Sequence, residues 1–231
     1  MHQAYLPIVA SSTRASTLHY CCNDKEFAWG PVHPNDHDSS TELHTQFQPQ
    51  VLLIDAGCEW NNYASDITRT IPVGNGGKFT PEAKDIYELV LKMQKVRNGF
   101  RRLLNFKSHG RHQASFETLK PGVHWKTIQL TCHRVLVEGF QKLGIFKSPS
   151  SPNSGSWNSA EAILASGESA AFFPHGVGHS LGLDVHDAAE ASKPKINDTL
   201  GNEQEGHESF YTYLRLMIPL RVGMVVVSIN R

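Results

Sequence analysis

The sequence of 231 residues lacks an excess of charge of either sign, a long apolar run and a dense set of cysteines. Its 22 basic and 22 acidic side chains balance to a formal net charge of zero, so no basic stripe for nucleic acid or an anionic membrane is expected. No apolar run approaches the roughly 20 residues of a membrane-spanning helix. The first residues lack the basic-then-apolar order of a secretory signal peptide. These absences exclude nucleic acid and membrane from the expected partners.

The four cysteines, Cys21, Cys22, Cys58 and Cys132, form neither a C-x-x-C pair nor a regularly spaced framework. Free thiols persist in reducing compartments, whereas small secreted domains use spaced cysteines for disulfides. The sequence therefore predicts a cytoplasmic protein with free thiols. Thirteen histidines are present, but they are scattered, and their number alone assigns them no role.

Strand-like and helical patterns alternate along the chain, which predicts an α+β fold. Thr80-Pro81-Glu82 combines a hydroxyl cap, a proline in the first turn and an acid near the positive end of the helix dipole, and so predicts a helix start. A second amphipathic helix is predicted over about 125–143, with Gly144 as its stop. Short apolar segments predict strands at 5–10, 18–22, 211–216 and 223–229.

Two aspartates, Asp55 and Asp66, lie at the ends of apolar runs within residues 51–73, with a turn-rich segment between them. A hairpin turn centred between Trp60 and Asn61 would make these aspartates direct cross-strand neighbours, with Cβ atoms roughly 4.5–5.5 Å apart. Carboxylates at that distance repel each other unless they share a proton or hold a cation. The pair indicates a metal site, and an accidental pair of strand-end aspartates is the alternative.

Three histidines, His175, His179 and His186, follow one another at spacings of four and seven residues. The glycines between them and Pro174 argue against a helix, so this is not the H-E-x-x-H helix of zinc proteases. Small residues allow the backbone to approach another group closely. Neutral imidazole is a ligand for Zn, Mn or Co beside carboxylates, and a histidine without a metal can move protons or stabilise an oxyanion.

The same stretch contains G-x-S-x-G at 178–182, the pattern of the nucleophile elbow in α/β-hydrolases. Asp198 and His207 follow in the order that a serine hydrolase would need. An elbow requires a buried strand just before it and a helix just after it. Pro174 interrupts the preceding run, and residues 183–186 alternate like a strand. The sequence therefore favours a metal site over a serine hydrolase.

Three segments together, DAGCEWNNYASDITRTIPV, HGVGHSLGLDVHD and STLHY, resemble the M24B metallopeptidases. These are the Xaa-Pro aminopeptidases and Xaa-Pro dipeptidases (prolidases) of the pita-bread fold, and the fungal branch is the most similar. The resemblance covers most of the chain. It implies a hydrolase with two divalent metal ions, usually Mn²⁺, that removes an N-terminal residue preceding proline from a peptide substrate through a metal-bridging hydroxide. It also makes a homodimer possible.

By this resemblance, Asp55 and Asp66 match the two aspartate ligands of the metal ions, and Asp66 bridges both ions. His179 matches the histidine ligand. The family continues after the segment that begins at Gly223 with two glutamates that are also ligands, and neither is present here. Three ligands of the family's set are therefore expected in this chain.

The resemblance also assigns the residues around the metal ions. His19, His175 and His186 match the catalytic histidines, which bind substrate and stabilise the tetrahedral intermediate. Arg215 stands where fungal members carry a similar arginine, and is expected to bind substrate with His19 and His186.

The chain departs from the family's pattern in its domain organisation. The N-terminal domain that precedes the strand at 5–10 in the family, and the closing strands that carry the glutamates, are expected to be absent. Residues 96–115 are basic and have no counterpart in the family's pattern. They are interpreted either as a structural insertion or as translated intron sequence. We therefore expect a single incomplete pita-bread domain over residues 1–231.

Two functions follow from this comparison of patterns. The first is a metal-dependent, proline-specific exopeptidase. The alternative is a catalytically inactive remnant that lacks two glutamate ligands and binds metal or peptide weakly at most.

Overall fold

The computed structural model describes residues 2–24, 26–27, 47–97, 119–147, 158–188, 191–192 and 208–228. Within these ranges the chain forms two compact units, one in Met1–Tyr87 and one in Glu88–Asn230. Strands and helices are both present, as the sequence predicts for an α+β fold. Most of the predicted insertion at 96–115, and both Asp198 and His207, lie outside the described residues.

The described residues of the first unit form two three-stranded antiparallel sheets. In one sheet the strand order is β1–β4–β5, and in the other it is β2–β3–β6 with β3 in the centre. The strands are β1 (His2–Gln3), β2 (Ile8–Ser11), β3 (Gln50–Ala56), β4 (Cys58–Trp60), β5 (Tyr63–Ala64) and β6 (Ile67–Val73).

The core of this unit lies on one face of β2 and β3. Ile8, Ala10 and Leu53 are buried, and Ala10 is opposite Leu53 in the strand register. Tyr20 packs against the same cluster. Asp55 is opposite Ile8 and is itself buried, so the strand that forms the core also carries a carboxylate at its end.

The turn of the long hairpin is one position later than the sequence predicts. Trp60 pairs with Tyr63, so the turn is centred between Asn61 and Asn62. Both asparagines have positive φ, 50° and 68°, as the central positions of a type I′ turn require. Asparagine tolerates this left-handed conformation better than most residues, and this preference sets the position of the turn.

Because the turn is one position later, the cross-strand positions of Asp55 and Asp66 differ from the predicted ones. Asp55 is opposite Thr68, and Asp66 lies in the short segment between β5 and β6. The prediction that Asp55 and Asp66 are direct cross-strand neighbours is therefore wrong.

Residues 18–22 do not form the predicted strand. A 3₁₀ helix at Ser12–Ser16 ends in a turn, and His19 there has a φ of 54°. A left-handed residue interrupts an extended run. Tyr20 then packs inward, and its hydroxyl donates a hydrogen bond of 2.9 Å to Asp24 Oδ1.

The two helices that the sequence predicts, α1 and α2, begin where expected, and a third helix that was not predicted is present. Helix α1 is Pro81–Arg97, and the side-chain oxygen of Thr80 accepts a hydrogen bond from the N–H of Ala83. Helix α2 is Trp125–Lys142, and Gly144 follows it with a φ of 73°. Helix α3 is Ala160–Ser166.

The core of the second unit forms around α2. One face of α2 packs with α1 and with the segment that follows residue 208; the buried members are Leu89, Met93, Trp125, Ile128, Cys132, Val135, Leu136, Phe140, Val177, Leu214, Leu216 and Leu220. A smaller cluster forms on another side of α2, between Val137, α3 and Phe210.

Strand β7 (Gly178–Ser180) pairs with β8 (Val226–Ser228) in the second unit. The strand predicted at 223–229 is thus present but shorter among the described residues. The strand predicted at 211–216 is wrong, because the chain turns there after a 3₁₀ helix at Glu208–Phe210. Leu214 and Leu216 are buried on either side of an exposed Arg215, so their alternation comes from irregular chain packed on the core.

None of the helices that the structure describes is both long enough and apolar enough to cross a membrane.

Candidate functional site

The carboxylates of Asp55 and Asp66 converge on one hydroxyl group. Tyr5 Oη lies 2.6 Å from Asp55 Oδ1 and 3.0 Å from Asp66 Oδ1. Asp55 is 4% exposed, and Asp66 is half-buried. The structure therefore brings the predicted aspartate pair together through Tyr5, although the two residues are not opposite each other in the strands.

The position of Tyr5 depends on a glycine. A side chain at Gly57 would collide with the carbonyl of Ser65 and with the edge of the Tyr5 ring. Ser65 is held there by hydrogen bonds with Cys58: its N–H and hydroxyl both donate to the carbonyl, and its hydroxyl accepts from the N–H. The absence of a Cβ at Gly57 thus allows the Tyr5 ring to lie between the two aspartates.

The Tyr5 hydroxyl has one hydrogen, while two carboxylates lie within hydrogen-bond distance of it. Burial, followed by the hydrogen bond to Asp55 and the charge of Asp66, raises the pKa of Tyr5 far above its usual range. The phenol therefore remains protonated and can only partly offset the repulsion between the carboxylates. A cation at this position would offset it more fully.

The donor chemistry of this pair fits a divalent cation. Carboxylate oxygens are preferred ligands of Mg²⁺ and Mn²⁺, and one carboxylate can bridge two ions because it has two oxygens. Among the residues that the structure describes, no group of three or more His, Cys, Asp or Glu side chains is arranged to hold a metal ion. The geometric support for a metal is thus the aspartate pair.

His179 lies on β7 in the second unit and is 2% exposed. Its Nδ1 is 2.9 Å from the carbonyl oxygen of Ser180. A carbonyl oxygen can only accept, so Nδ1 carries a hydrogen, and in the neutral imidazole Nε2 then carries the lone pair. Metal-binding histidines commonly donate their second ring N–H to a carbonyl in this way, which fixes the tautomer and the ring orientation.

The backbone of β7 passes close to neighbouring groups. A side chain at Gly178 would collide with the carbonyl of Val227 and with the Trp125 ring.

The ring of His186 packs edge-on against His179, with centroids 4.4 Å apart and an interplanar angle of 84°. The second unit therefore brings His179 and His186 together.

The other predicted site residues have different environments. His175 is half-buried, and its carbonyl accepts a hydrogen bond from Gln129 of α2. Arg215 is exposed in the second unit. His19 is exposed on the turn of the first unit.

Ser180 does not have the surroundings of a nucleophile elbow. It is the last residue of β7, and residues 181–188 form bends and turns rather than a helix. The strand-like segment predicted at 183–186 is likewise absent. The Ser180 hydroxyl lies 2.9 Å from the hydroxyl of Ser192. The structure thus supports the sequence-based argument against a serine hydrolase.

Two residues of this region were not identified from the sequence. Tyr5 lies in a segment predicted as a strand, and its role follows from contacts with residues 50 and 61 positions away. Gln129 is a polar residue on the apolar face of the predicted second helix. That position was the one signal available in the sequence, because a buried amide requires hydrogen-bond partners.

The comparisons with known proteins concern nearly the whole chain. Residues 1–228 match metallopeptidase family M24. A probable Xaa-Pro aminopeptidase of Metarhizium acridum is 39% identical over 223 residues, which are 96% of this chain and 33% of that protein. One from Paracoccidioides brasiliensis is 37% identical over 97% of this chain and 36% of that protein. The chain thus spans about a third of the length of these curated relatives.

Solved structures show the same relationship. An aspartate-to-alanine variant of Escherichia coli aminopeptidase P is 28% identical and superposes with a TM-score of 0.60, over 97% of this chain and 35% of that one. A prolidase from Pyrococcus horikoshii, at 22% identity and a TM-score of 0.51 over 97% of this chain and 39% of that one, shares the fold. The predicted pita-bread fold is confirmed.

Proposed function

Because the chain belongs to metallopeptidase family M24, we propose that it hydrolyses the N-terminal Xaa-Pro bond of peptides as a metal-dependent Xaa-Pro aminopeptidase. The aminopeptidase is preferred to the dipeptidase because the curated relatives carry that name. The observation that carries the proposal is the convergence of Asp55 and Asp66 on the Tyr5 hydroxyl. Asp55 is buried and Asp66 is half-buried. Two carboxylates that converge on one hydroxyl in this way favour a divalent cation beside them.

Asp55 and Asp66 would hold the metal ions. His179 is proposed as a further ligand through Nε2, since Nδ1 donates to the carbonyl of Ser180. We propose two divalent ions, most simply Mn²⁺, as the cofactor. When bound, they would supply Lewis-acid polarisation of the scissile carbonyl and an activated water.

The remaining residues would act on the substrate. His19, His175 and His186 would stabilise the oxyanion and deliver a proton to the leaving proline nitrogen. His19, His186 and Arg215 would bind the peptide. The cytoplasm is proposed as the compartment because Cys21, Cys22, Cys58 and Cys132 form no disulfide in the structure.

The test combines calorimetric titration with Mn²⁺ and a turnover assay on an Xaa-Pro-Xaa tripeptide. The wild-type chain should bind Mn²⁺ and release the N-terminal residue. Asp66→Asn keeps the size of the side chain but removes its charge, and it should abolish Mn²⁺-dependent turnover while the far-ultraviolet circular dichroism stays unchanged. Undiminished turnover in purified Asp66→Asn would contradict the proposal.

The inactive remnant predicts a different result in the same experiment. If Asp55, Asp66 and His179 are too few ligands for two ions, the chain should bind Mn²⁺ weakly, at a single site, and should release no product from the tripeptide. That result would support the inactive remnant and contradict the proposed peptidase activity.

A further inference from the structure

The side chain of Gln129 joins α2 to the segment that carries His175. Its Nε2 donates a hydrogen bond of 2.9 Å to the carbonyl of His175, and its Oε1 accepts one of 2.8 Å from the N–H of Val177. Gln129 is completely buried. One amide therefore fixes the backbone on both sides of Gly176.

The Gln129 network continues through His133, one turn further along α2, to Ser169. Gln129 Nε2 lies 3.3 Å from His133 Nε2, and His133 Nδ1 lies 3.0 Å from the hydroxyl of Ser169. We define the network by these three side chains, Gln129, His133 and Ser169. All three are completely buried.

The donor and acceptor roles in this network follow from one backbone group. The N–H of Val177 can only donate, so the atom of Gln129 that faces it must be Oε1, and the amide nitrogen must face His133. That nitrogen can only donate, so His133 Nε2 accepts. The hydrogen of His133 is therefore on Nδ1, and it is donated to Ser169.

Aromatic packing holds His133 in place. Its ring stacks on Phe210 with centroids 4.0 Å apart and an interplanar angle of 20°, and it is tilted against Phe173 at 5.1 Å. Such a network is stable when each member is satisfied, because a buried polar group without a partner is costly. The network therefore has one arrangement, and that arrangement specifies the backbone at 175–177.

The segment that the network holds has no regular secondary structure. Residues 173–177 form no regular element and include Pro174 and Gly176. The segment leads directly into β7, which carries His179. Glycine adds conformational freedom that must be removed if neighbouring side chains are to have fixed positions.

We propose that Gln129 and His133 are positioning residues, which set the place of His175 and the entry into β7 through the backbone of 175–177. The effect on the backbone is independent of any activity. The effect on catalysis rests on the proposed function, because it requires His175 to act on the substrate. A contribution to global stability alone is the simpler alternative, and the experiment separates the two.

The experiment compares Gln129→Met with Gln141→Met in the full chain. Gln141 is the control on the same helix, since it is half-buried and its Nε2 donates to backbone carbonyls away from 175–177, those of Lys147 and Asn158. Amide hydrogen exchange of Val177 is measured against amides in the middle of α2, together with the ring ¹H–¹³C resonances of His175 and His179. Turnover of the tripeptide is measured in parallel.

The Gln129→Met variant should accelerate exchange at Val177 by about tenfold relative to the α2 amides, as expected for the loss of one buried hydrogen bond. It should also shift the His175 ring resonances, whereas Gln141→Met should do neither. Uniform acceleration of all core amides, or an unchanged Val177, would show a purely structural role and overturn the proposal.

A second variant keeps the test decisive if Gln129→Met fails to fold. His133→Phe retains an aromatic ring to stack on Phe210 but removes the contacts to Gln129 and Ser169. It should accelerate Val177 exchange selectively and by less than Gln129→Met. Exchange at Val177 that follows the α2 amides in His133→Phe would overturn the proposal.

Turnover distinguishes this proposal from the proposed function. If the wild type is active, Gln129→Met should lower kcat with little change in KM, because His175 would be misplaced for the transition state. If the wild type releases no product, the proposed function fails, while the exchange and resonance measurements still decide the role of the Gln129 network.

Discussion

Tyr5 donates a hydrogen bond of 2.6 Å to Asp55, a residue 50 positions later in the chain. The same hydroxyl lies 3.0 Å from Asp66, so the contact joins two carboxylates that the strand register keeps from facing each other. A metal ion and the tyrosine would relieve the same repulsion. The behaviour of Tyr5 variants therefore reports on the candidate metal site.

Replacing Tyr5 by phenylalanine should increase the stabilisation that Mn²⁺ provides. Without the hydroxyl, the metal-free protein should lose about 1–2 kcal/mol, because the carboxylates lose their shared donor. The metal-bound protein should lose less, because the cation then offsets the repulsion. The shift in Tm between EDTA and Mn²⁺ measures this difference. Tyr63→Phe is the control, since Tyr63 is exposed. Equal shifts in Tyr5→Phe and the wild type would contradict the prediction.

Replacing Gly57 by alanine should displace Tyr5. The new Cβ would collide with the Ser65 carbonyl and the Tyr5 ring, and overpacking of this kind costs about 1–3 kcal/mol. Mn²⁺ affinity should fall with stability, as judged by calorimetry and urea denaturation. Gly76→Ala is the matched control, because its Cβ would meet no atom within 4 Å and only its φ of 61° is unfavourable. A Gly57→Ala variant no less stable than this control would argue against the close approach.

The type I′ turn predicts opposite outcomes for two substitutions of Asn62. Asn62→Gly should keep or raise stability, because glycine adopts a φ of 68° without strain. Asn62→Ala should lower stability by about 1 kcal/mol, because alanine is strained in the left-handed region. Thermal unfolding of both variants measures the difference. If alanine and glycine were equivalent at position 62, the turn would not be of this type.

The lowered pKa of Lys92 should make the free energy of unfolding depend on pH. Burial, together with the nearby charge of Lys142, lowers the pKa of Lys92 from 10.5, while Glu138 opposes the shift. The unfolded chain then binds more protons than the folded chain between the lowered pKa and 10.5, so this residue makes stability rise with pH across that window. Below the window, the charged lysine destabilises the fold.

The substitution Lys92→Met should therefore raise the urea midpoint at neutral pH, and its advantage over the wild type should shrink as the pH approaches 10.5. Lys78→Met is the control, since Lys78 is exposed. A Lys92→Met variant that is less stable than the wild type at neutral pH would refute the prediction.

Features that depend on neighbouring residues could be predicted from the sequence. The start of α1 follows from Thr80 and Pro81, and the end of α2 from Gly144, because caps and left-handed glycines act within one turn of helix. The motifs around Asp55 and His179 predicted the family, which the comparisons confirm. The roles of the individual site residues stay predictions.

Features that depend on distant residues could be seen only in the folded structure. A turn centred one position later changed the partner of Asp55 to Thr68, because strand register transmits any shift of the turn along the whole hairpin. The left-handed backbone at His19 replaced a predicted strand by a turn. Tyr5 and Gln129 form their decisive hydrogen bonds with residues 46 to 61 positions away. No local pattern encodes such contacts, because they exist only once the sheets and helices have packed.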